Sequence, residues 1–347
     1  MDRRESVVLS SPERRFLGRD RVTTCSHCNA FVRSILLLGG AAFLASAANV
    51  AAAPTSHPPK IVAVGDIACQ SFSQSDGEGA CRSDEIAALI TSLDPDAFFA
   101  LGDLQYNDGG LDQFLRVYDL QFGHLNAITY PAPGNHEYET PGAQGYFDYF
   151  GTRAHGPEGY YSFNLGTWHI VALNSDICRD DPGCGPGTPQ YEWLRADLIA
   201  HSSAVCTLAF QHHPTFDWRQ WQHFVDPDTD KPNGGSENEM YFEMWRLMDA
   251  MGVDVQLNGH NHIYHRWAPQ TVDGIRDANG IRQFTIGTGG RSLYPLGKKP
   301  RPANLLAVQN KAFGVLEMTL RSGAYDFRWV GLPRDPAFQD RGSVACR

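Results

Sequence analysis

The sequence of 347 residues predicts an α/β protein whose functional side chains lie at the ends of strands. Its first half alternates short apolar runs, typical of buried strands, with segments whose spacing is typical of helices. Most of the apolar runs end at a glycine or proline beside an Asp, Asn or His residue. Parallel-sheet proteins present ligands from the carboxyl ends of their strands in this way.

The first half contains three predicted strands and two predicted helices. The strands are expected at residues 61–64, 97–101 and 128–132, and the helices at residues 83–93 and 111–122. Ser83 is a suitable N-cap for the first helix, because its hydroxyl can accept a free backbone N–H. These strands end at Gly65-Asp66, Gly102-Asp103 and Gly134-Asn135-His136.

The second half changes character. A hairpin is predicted for residues 160–165 and 168–173, turning at Gly166-Thr167. Two strand-and-ligand units follow: residues 205–210 lead to His212-His213-Pro214, and residues 253–257 lead to Gly259-His260-Asn261-His262. Helices are predicted at residues 189–201 and 239–251, and further strands at residues 283–286, 314–320 and 325–330. The polar loop 217–238 is expected to form a rim or lid over the site.

The domain organisation follows from the amino-terminal region. Residues 1–53 resemble a leader or signal peptide, with arginine-rich sequence before an apolar run and small residues after it. The run is about 15 residues long, short of the ~20 needed to span a bilayer, so cleavage rather than a membrane anchor is expected. Residues 54–59 form a linker, and residues 60–347 form one catalytic domain.

Cysteines and charge agree with a secreted or periplasmic location. Six cysteines remain after residue 53, and an even number suits an oxidising compartment. Six cysteines allow fifteen pairings. Proximity in the sequence favours Cys69–Cys81 and Cys178–Cys184, which leaves Cys206–Cys346. The last pair would tie the carboxyl-terminal tail to the domain.

The net charge of −10 argues against nucleic-acid binding, because proteins that bind nucleic acids usually carry a basic patch or a net positive charge.

Taken together, the motifs supply the ligands of two metal ions. The donor residues are Asp66, Asp103, Tyr106, Asn135, His212, His260 and His262. This set is too large for one ion and sufficient for two. A bridging carboxylate would hold the ions ~3.5–4 Å apart, so that one phosphate ester touches both. His136 adjoins a ligand and is suited to protonate the leaving alkoxide.

The motif set resembles that of the calcineurin-like metallophosphoesterases over roughly residues 60–330. Tyr106, three residues after Asp103, resembles the tyrosine of purple acid phosphatases, whose phenolate binds a ferric ion. The run Asp66-Ile67-Ala68 lacks the Asp-x-His found in most other members of the superfamily. Because the linker leaves no room for an additional β-sandwich domain, the chain looks like a compact, single-domain bacterial relative.

The resemblance implies a fold and a division of ligands. The fold would be a four-layer αββα sandwich, in which two mixed sheets pack face to face between helices. Fe(III) would take Asp66, Asp103, Tyr106 and His262. A second ion (Fe(II), Zn or Mn) would take Asp103, Asn135, His212 and His260, with Asp103 as the bridge.

Three further residues are expected near the substrate or behind the ligands: His213, Tyr264 and Arg266. For Arg266, a contact with phosphate or a ligand and a supporting salt bridge are equally compatible with the sequence. The glycine-rich segment 287–291 is expected to form a tight turn rather than a phosphate cradle.

The predicted function is hydrolysis of a small phosphomonoester, with attack by a metal-bound hydroxide and His136 as the general acid. One alternative is a phosphodiesterase acting on nucleotides or phospholipid headgroups, since the same ions serve both reactions. Another is a metal-dependent binding protein without turnover. The presence of His136, which a binding protein does not need, argues against the last.

Overall fold

The first of two β-sheets carries the amino-terminal motifs. The computed structural model describes residues 57–70, 81–179, 183–218, 241–296 and 300–347. The first sheet consists of β1 (Lys60–Val64), β2 (Ala97–Leu101), β3 (Thr129–Ala132), β11 (Gly314–Arg321), β12 (Ala324–Gly331) and β13 (Arg341–Ala345). Their order across the sheet is β13-β12-β11-β1-β2-β3. Strands β1, β2 and β3 run parallel, and β11 joins β1 antiparallel.

The second sheet carries the histidine motifs. Its strands are β4 (Tyr161–Leu165), β5 (Trp168–Ala172), β6 (Cys206–Phe210), β7 (Val255–Asn258), β8 (Tyr264–Trp267), β9 (Arg282–Ile286) and β10 (Leu305–Gln309). Their order is β10-β8-β9-β7-β6-β5-β4. Strands β5, β6, β7 and β9 run parallel to one another, whereas β4 pairs antiparallel with β5 and β8 pairs antiparallel with β9 and β10. Both sheets are therefore mixed.

The two sheets pack face to face through aromatic side chains. Phe99 of β2 stacks on Phe210 of β6 at 4.9 Å between ring centroids, and Phe284 of β9 meets Phe327 of β12 at 5.1 Å. Every residue of β2, Ala-Phe-Phe-Ala-Leu, is buried, which is why this strand reads as one apolar run. This shared core fixes the strand ends of both sheets relative to each other.

Helices cover the outer faces and complete four layers. The longer helices are α1 (Ser83–Leu93), α5 (Gln144–Phe150), α6 (Pro189–Ala200) and α7 (Phe242–Ala250). Helix α1 belongs to the core of the first sheet, whereas α6 and α7 share an apolar cluster with the outer face of the second sheet. The expected αββα sandwich is confirmed. Helix α1 begins at Ser83 itself and its N-cap position is Arg82, so the N-cap assigned to Ser83 was wrong by one residue.

The predicted helix 111–122 is helical throughout, but its middle turn is wider than an α-helix. It comprises α2 (Leu111–Gln113), a π-helical turn (Phe114–Tyr118) and α3 (Asp119–Phe122). The backbone N–H of Tyr118 donates to Gln105 Oε1 at 3.1 Å. A side chain from the adjacent ligand loop therefore takes a donor that a regular α-helix would use internally.

Three strands were not predicted, namely β8, β10 and β13. β10 and β13 are edge strands of their sheets, and β8 mixes ring, charged and polar residues in Tyr-His-Arg-Trp. The short α4 (Asn135–Tyr138) was also missed. The leader, residues 54–56 of the linker and most of the predicted lid lie outside the described residues.

All three favoured disulfides are present: Cys69–Cys81, Cys178–Cys184 and Cys206–Cys346. The last joins residues 140 apart and anchors the tail beyond β13 to β6. Among the described residues, no helix combines the length and apolarity that a membrane crossing requires.

Candidate metal centre

The candidate ligands meet where the carboxyl ends of the parallel strands of both sheets converge. Asp66, Asp103 and Asn135 follow β1, β2 and β3, and His212 and His260 follow β6 and β7. His212 Nδ1 donates to the carbonyl of Leu101, the last residue of β2, at 2.8 Å. This hydrogen bond connects the two sheets directly at the site.

One group of donor atoms surrounds the Tyr106 hydroxyl. That oxygen lies 3.1 Å from Asp66 Oδ1, 3.0 Å from Asp103 Oδ2 and 3.0 Å from His262 Nε2. His262 Nε2 also lies 3.3 Å from Asp66 Oδ1. All four side chains are buried.

A second group gathers around the Asn135 amide oxygen. It lies 3.2 Å from His212 Nε2 and 3.0 Å from His260 Nδ1. His212 Nε2 is in turn 3.3 Å from Asp103 Oδ1. Asp103 thus turns one carboxylate oxygen toward each group, which is the arrangement a bridging ligand needs.

Both groups fit the ions that the sequence implies. Two ligand atoms that each lie ~2.1 Å from one ion are themselves about 3 Å apart, and the spacings here are 3.0–3.3 Å. In addition, Asp66 Oδ2 is buried without a hydrogen-bond partner among the described residues, as expected of an oxygen placed for a cation. The first group offers anionic oxygens and the second is mostly neutral, so their preferences differ.

Supporting hydrogen bonds orient two of the imidazoles. His262 Nδ1 lies 2.7 Å from the Ser292 carbonyl and His212 Nδ1 lies 2.8 Å from the Leu101 carbonyl. A carbonyl can only accept, so each Nδ1 carries a hydrogen and each Nε2 is the atom that faces the other donors. In the neutral ring that Nε2 presents a lone pair, as a metal ligand must.

The backbone at the ligands is held in an unusual conformation. Asp66, Asp103 and His260 have φ values of 61°, 50° and 70°, in the left-handed region that costs a non-glycine residue energy. Gly102, beside Asp103, has φ 80°, and a Cβ there would stand 2.5 Å from His212 Nδ1. The glycine in the Gly-Asp motif therefore permits the close approach of His212.

The charges of the ligands depend on one another. Burial by itself would raise the pKa of Asp103, but His212 and His136 outweigh burial and hold it well below its usual range. Burial by itself would lower the pKa of His212, but Asp103 outweighs it and raises that pKa to about 9. Burial, together with Asp103 and Asp66, raises the pKa of Tyr106. A bound cation would oppose that rise, since it favours the phenolate.

His136 lies beside the first group but faces outward. Its backbone N–H donates to Asp103 Oδ1 at 2.9 Å, and its ring lies 4.3 Å from the Tyr106 ring. Nδ1 contacts the carbonyl of Asn107, Nε2 is 3.9 Å from Asp103 Oδ2, and the side chain is 30% exposed. It can therefore reach a molecule bound over the ligands.

His213 packs beside the second group. Its Nδ1 is 3.0 Å from Ser175 Oγ, and its ring lies 4.3 Å from that of His260. The donor atoms of His212, His213 and His260 lie within 4.8 Å of one another. The structure thus keeps His213 next to the ligands, where the sequence placed it.

Tyr264 and Arg266, which the sequence placed near the substrate or behind the ligands, both bind Asp340 rather than one of the candidate ligands. The Tyr264 hydroxyl donates to Asp340 Oδ2 at 2.7 Å, and Arg266 forms two 2.8 Å hydrogen bonds to the Asp340 carboxylate. The physical reason is that β8 lies beside β9 and directs these side chains toward the first sheet, where Asp340 precedes β13. Of the two alternatives for Arg266, the supporting salt bridge is the one present.

Glu137 was missed, although it organises the site. Its carboxylate accepts four backbone N–H groups at 2.8–3.1 Å: those of Asp103, Leu104, Gln105 and Gly134. The side chain is completely buried. Its place three residues after Gly134 is the spacing of a capping box, a signal that could have identified it.

Arg291 was also missed. It is buried, and its guanidinium lies 4.7 Å from the centre of the Tyr106 ring. The preceding glycines pack against ligand-bearing loops, since a Cβ at Gly289 would stand 2.2 Å from the Gly65 carbonyl. The segment is thus a closely packed turn, and no local sequence signal indicated that its arginine reaches Tyr106.

The double-sheet fold with this donor set defines the class of metal-dependent phosphoesterases. The chain belongs to the calcineurin-like phosphoesterases, because the model of that family matches residues 59–264. The family resemblance read from the motifs is therefore confirmed.

Individual relatives extend this finding. Purple acid phosphatase 22 of Arabidopsis thaliana is 27% identical over 287 residues, which cover 75% of this chain and 57% of that protein. The chain thus spans little more than half of that relative's length.

Two solved structures share the fold. The purple acid phosphatase PPD1 from yellow lupin (Lupinus luteus) matches with a TM-score of 0.63 and 18% identity, over 85% of this chain and 55% of that one. GAP50, the anchor in the inner membrane complex of Plasmodium, matches with a TM-score of 0.56 and 13% identity, over 84% of this chain and 90% of that one.

Proposed function

We propose that the protein is a secreted or periplasmic phosphatase that hydrolyses small phosphomonoesters at a dinuclear metal centre. The observation that carries the proposal is the position of Asp103, whose Oδ2 lies 3.0 Å from Tyr106 and whose Oδ1 lies 3.3 Å from His212. One carboxylate that faces two donor groups suits a bridge between two ions.

The ligands divide as the two groups do. Asp66, Asp103, Tyr106 and His262 would hold Fe(III), because carboxylate and phenolate oxygens suit a hard, highly charged ion. Asp103, Asn135, His212 and His260 would hold Fe(II), Zn or Mn. When bound, the pair of ions supplies Lewis acidity toward the phosphate and an activated water.

His136 supplies the proton that the leaving alkoxide needs. The contact between Nδ1 and the Asn107 carbonyl fixes the ring, so Nε2 is the atom available to a substrate. For Nε2 to donate, the ring must be an imidazolium, because in the neutral ring the hydrogen stays on Nδ1.

Glu137 and the supporting carbonyls keep the ligands in place without touching the ester. Glu137 holds the backbone that carries Asp103, while Leu101 and Ser292 orient His212 and His262. Positioning of this kind matters because a ligand or acid displaced by about 1 Å can cost ~10²-fold in rate.

The location and domain limits rest on sequence and disulfides. A leader at residues 1–53, a linker at 54–59 and a catalytic domain at 60–347 would deliver the chain to an oxidising compartment, where the three disulfides persist. The similarity to Purple acid phosphatase 22 supports the phosphatase assignment.

The test compares turnover of a nitrophenyl phosphomonoester with that of the matching bis-nitrophenyl diester by the purified protein. We expect strong preference for the monoester. Preference for the diester would overturn the monoester assignment and favour a phosphodiesterase. No hydrolysis of either ester by protein that retains two ions would overturn catalysis and favour a metal-dependent binding protein.

A bridge variant tests the metal centre separately from the substrate. Asp103→Asn should lose both turnover and metal content, measured by elemental analysis. Asp108→Asn is the matched control, because Asp108 is exposed in the same loop. Retention of two ions by Asp103→Asn would remove Asp103 as the bridge.

A further inference from the structure

One short segment after β9 contacts three of the four residues in the first ligand group: the backbone of Asp66 and the side chains of His262 and Tyr106. Here it is called the 289–294 segment. The backbone N–H of Arg291 donates to the Asp66 carbonyl at 3.1 Å. The Ser292 carbonyl accepts from His262 Nδ1 at 2.7 Å. The Tyr294 ring stacks on the His262 ring at 4.0 Å, inclined by 16°. The segment is thus built against this half of the centre.

Arg291 completes these contacts at Tyr106. Its guanidinium carbon lies 4.7 Å from the centre of the phenol ring, within the ~6 Å range of a cation–π contact. The residue is 5% exposed, and burial lowers the pKa of its guanidinium. Arginine nevertheless remains charged in proteins. A full positive charge therefore lies against the ring of a candidate ligand.

The charge has a definite consequence if Tyr106 is a ligand. A cation near the ring stabilises the phenolate over the phenol and lowers the energy of its π electrons. The phenolate then gives less electron density to the ion. A ferric ion with a weaker donor is easier to reduce, and charge transfer from tyrosinate to iron needs more energy.

We propose that Arg291 is a positioning residue that acts through Tyr106 to set the reduction potential and charge-transfer colour of the ion in the first ligand group. This inference rests on the proposed function, specifically on Tyr106 as a ferric ligand. The inference gives Arg291 a function. The tight turn of the glycine-rich segment 287–291 does not by itself explain why an arginine stands there.

The experiment measures the visible absorbance band, the iron content and the reduction potential of iron-loaded wild type, Arg291→Met and Arg291→Lys. Arg291→Met should keep its iron but move the band to longer wavelength. Its equilibrium constant for reduction by a given reductant should fall about tenfold, as expected when a unit charge a few ångströms away is removed. Arg291→Lys should remain near wild type, because it retains the charge.

The matched control is Arg266→Met. The Arg266 guanidinium also lies over an aromatic ring, that of Phe327 at 5.2 Å, but it is paired with Asp340 and does not contact the candidate ligands. Its band and potential should equal those of wild type. An unchanged band and potential in Arg291→Met would overturn the inference while leaving Tyr106 as a ligand. Wild-type protein that binds iron without a charge-transfer band would overturn both Tyr106 ligation and this inference.

Discussion

Replacing Glu137 by Gln should release the loop that carries Asp103, although Glu137 is not one of the candidate ligands. The carboxylate accepts four backbone N–H groups, two on each oxygen. A glutamine can accept two of them with its amide oxygen, but its NH₂ group then faces the other two donors. An unsatisfied buried donor costs roughly 1–3 kcal/mol. Two such donors predict a loss of roughly 2–6 kcal/mol in the free energy of unfolding.

The assay is urea unfolding followed by tryptophan fluorescence, together with metal content per chain. The loss in the free energy of unfolding should be larger for metal-loaded protein than for protein treated with a chelator. In the metal-loaded variant, displacement of Asp103 also removes the stabilisation that the bound ion gives to the wild type. Glu139→Gln is the matched control, since Glu139 is exposed two residues further along. A loss below about 1 kcal/mol in Glu137→Gln, with metal content unchanged, would refute the assignment of Glu137 as the organiser of this loop.

Three further predictions concern the site and its support. Gly102→Ala should lose metal, because its Cβ would stand 2.5 Å from His212 Nδ1. Gly142→Ala is the control, because Gly142 shares the positive φ but has open space around its Cβ position, and this variant should only lose stability. Equal metal content in both variants would contradict the steric argument. His136→Ala should keep its metal while turnover falls ~10²–10⁴-fold, and unchanged turnover would show that another group donates the proton. Asp197→Asn should lower the melting temperature near neutral pH, because it removes a carboxylate that the fold stabilises. Burial by itself would raise the pKa of Asp197, but hydrogen bonds from His169 and Ser162 outweigh burial and lower that pKa. Because that pKa is lowered, the stabilisation exists above the ordinary value of 3.8 and disappears as the pH falls below it. A melting difference that grows in acid would mean that the sign is wrong.

The sequence predicted those features that are written locally in the chain. Strands β1, β2 and β3 were identifiable because each is an apolar run that ends at a glycine beside a ligand. The ligand types were identifiable for the same reason, and the disulfides followed from short spacings and elimination. In contrast, edge strands β10 and β13 pair on one side only, and no strong alternation marked them.

Tertiary packing decided which atoms meet. Asp103 and His212 lie more than a hundred residues apart, and only the stacking of the two sheets through Phe99 and Phe210 brings Oδ1 and Nε2 to 3.3 Å. The pairing of Arg266 with Asp340, 74 residues away, was equally invisible in the local pattern. By itself, the sequence therefore determined the class of fold and the chemistry of the ligands. The structure decided the two donor groups, the role of Glu137 and the place of Arg291, because distances between remote residues exist only after the sheets pack.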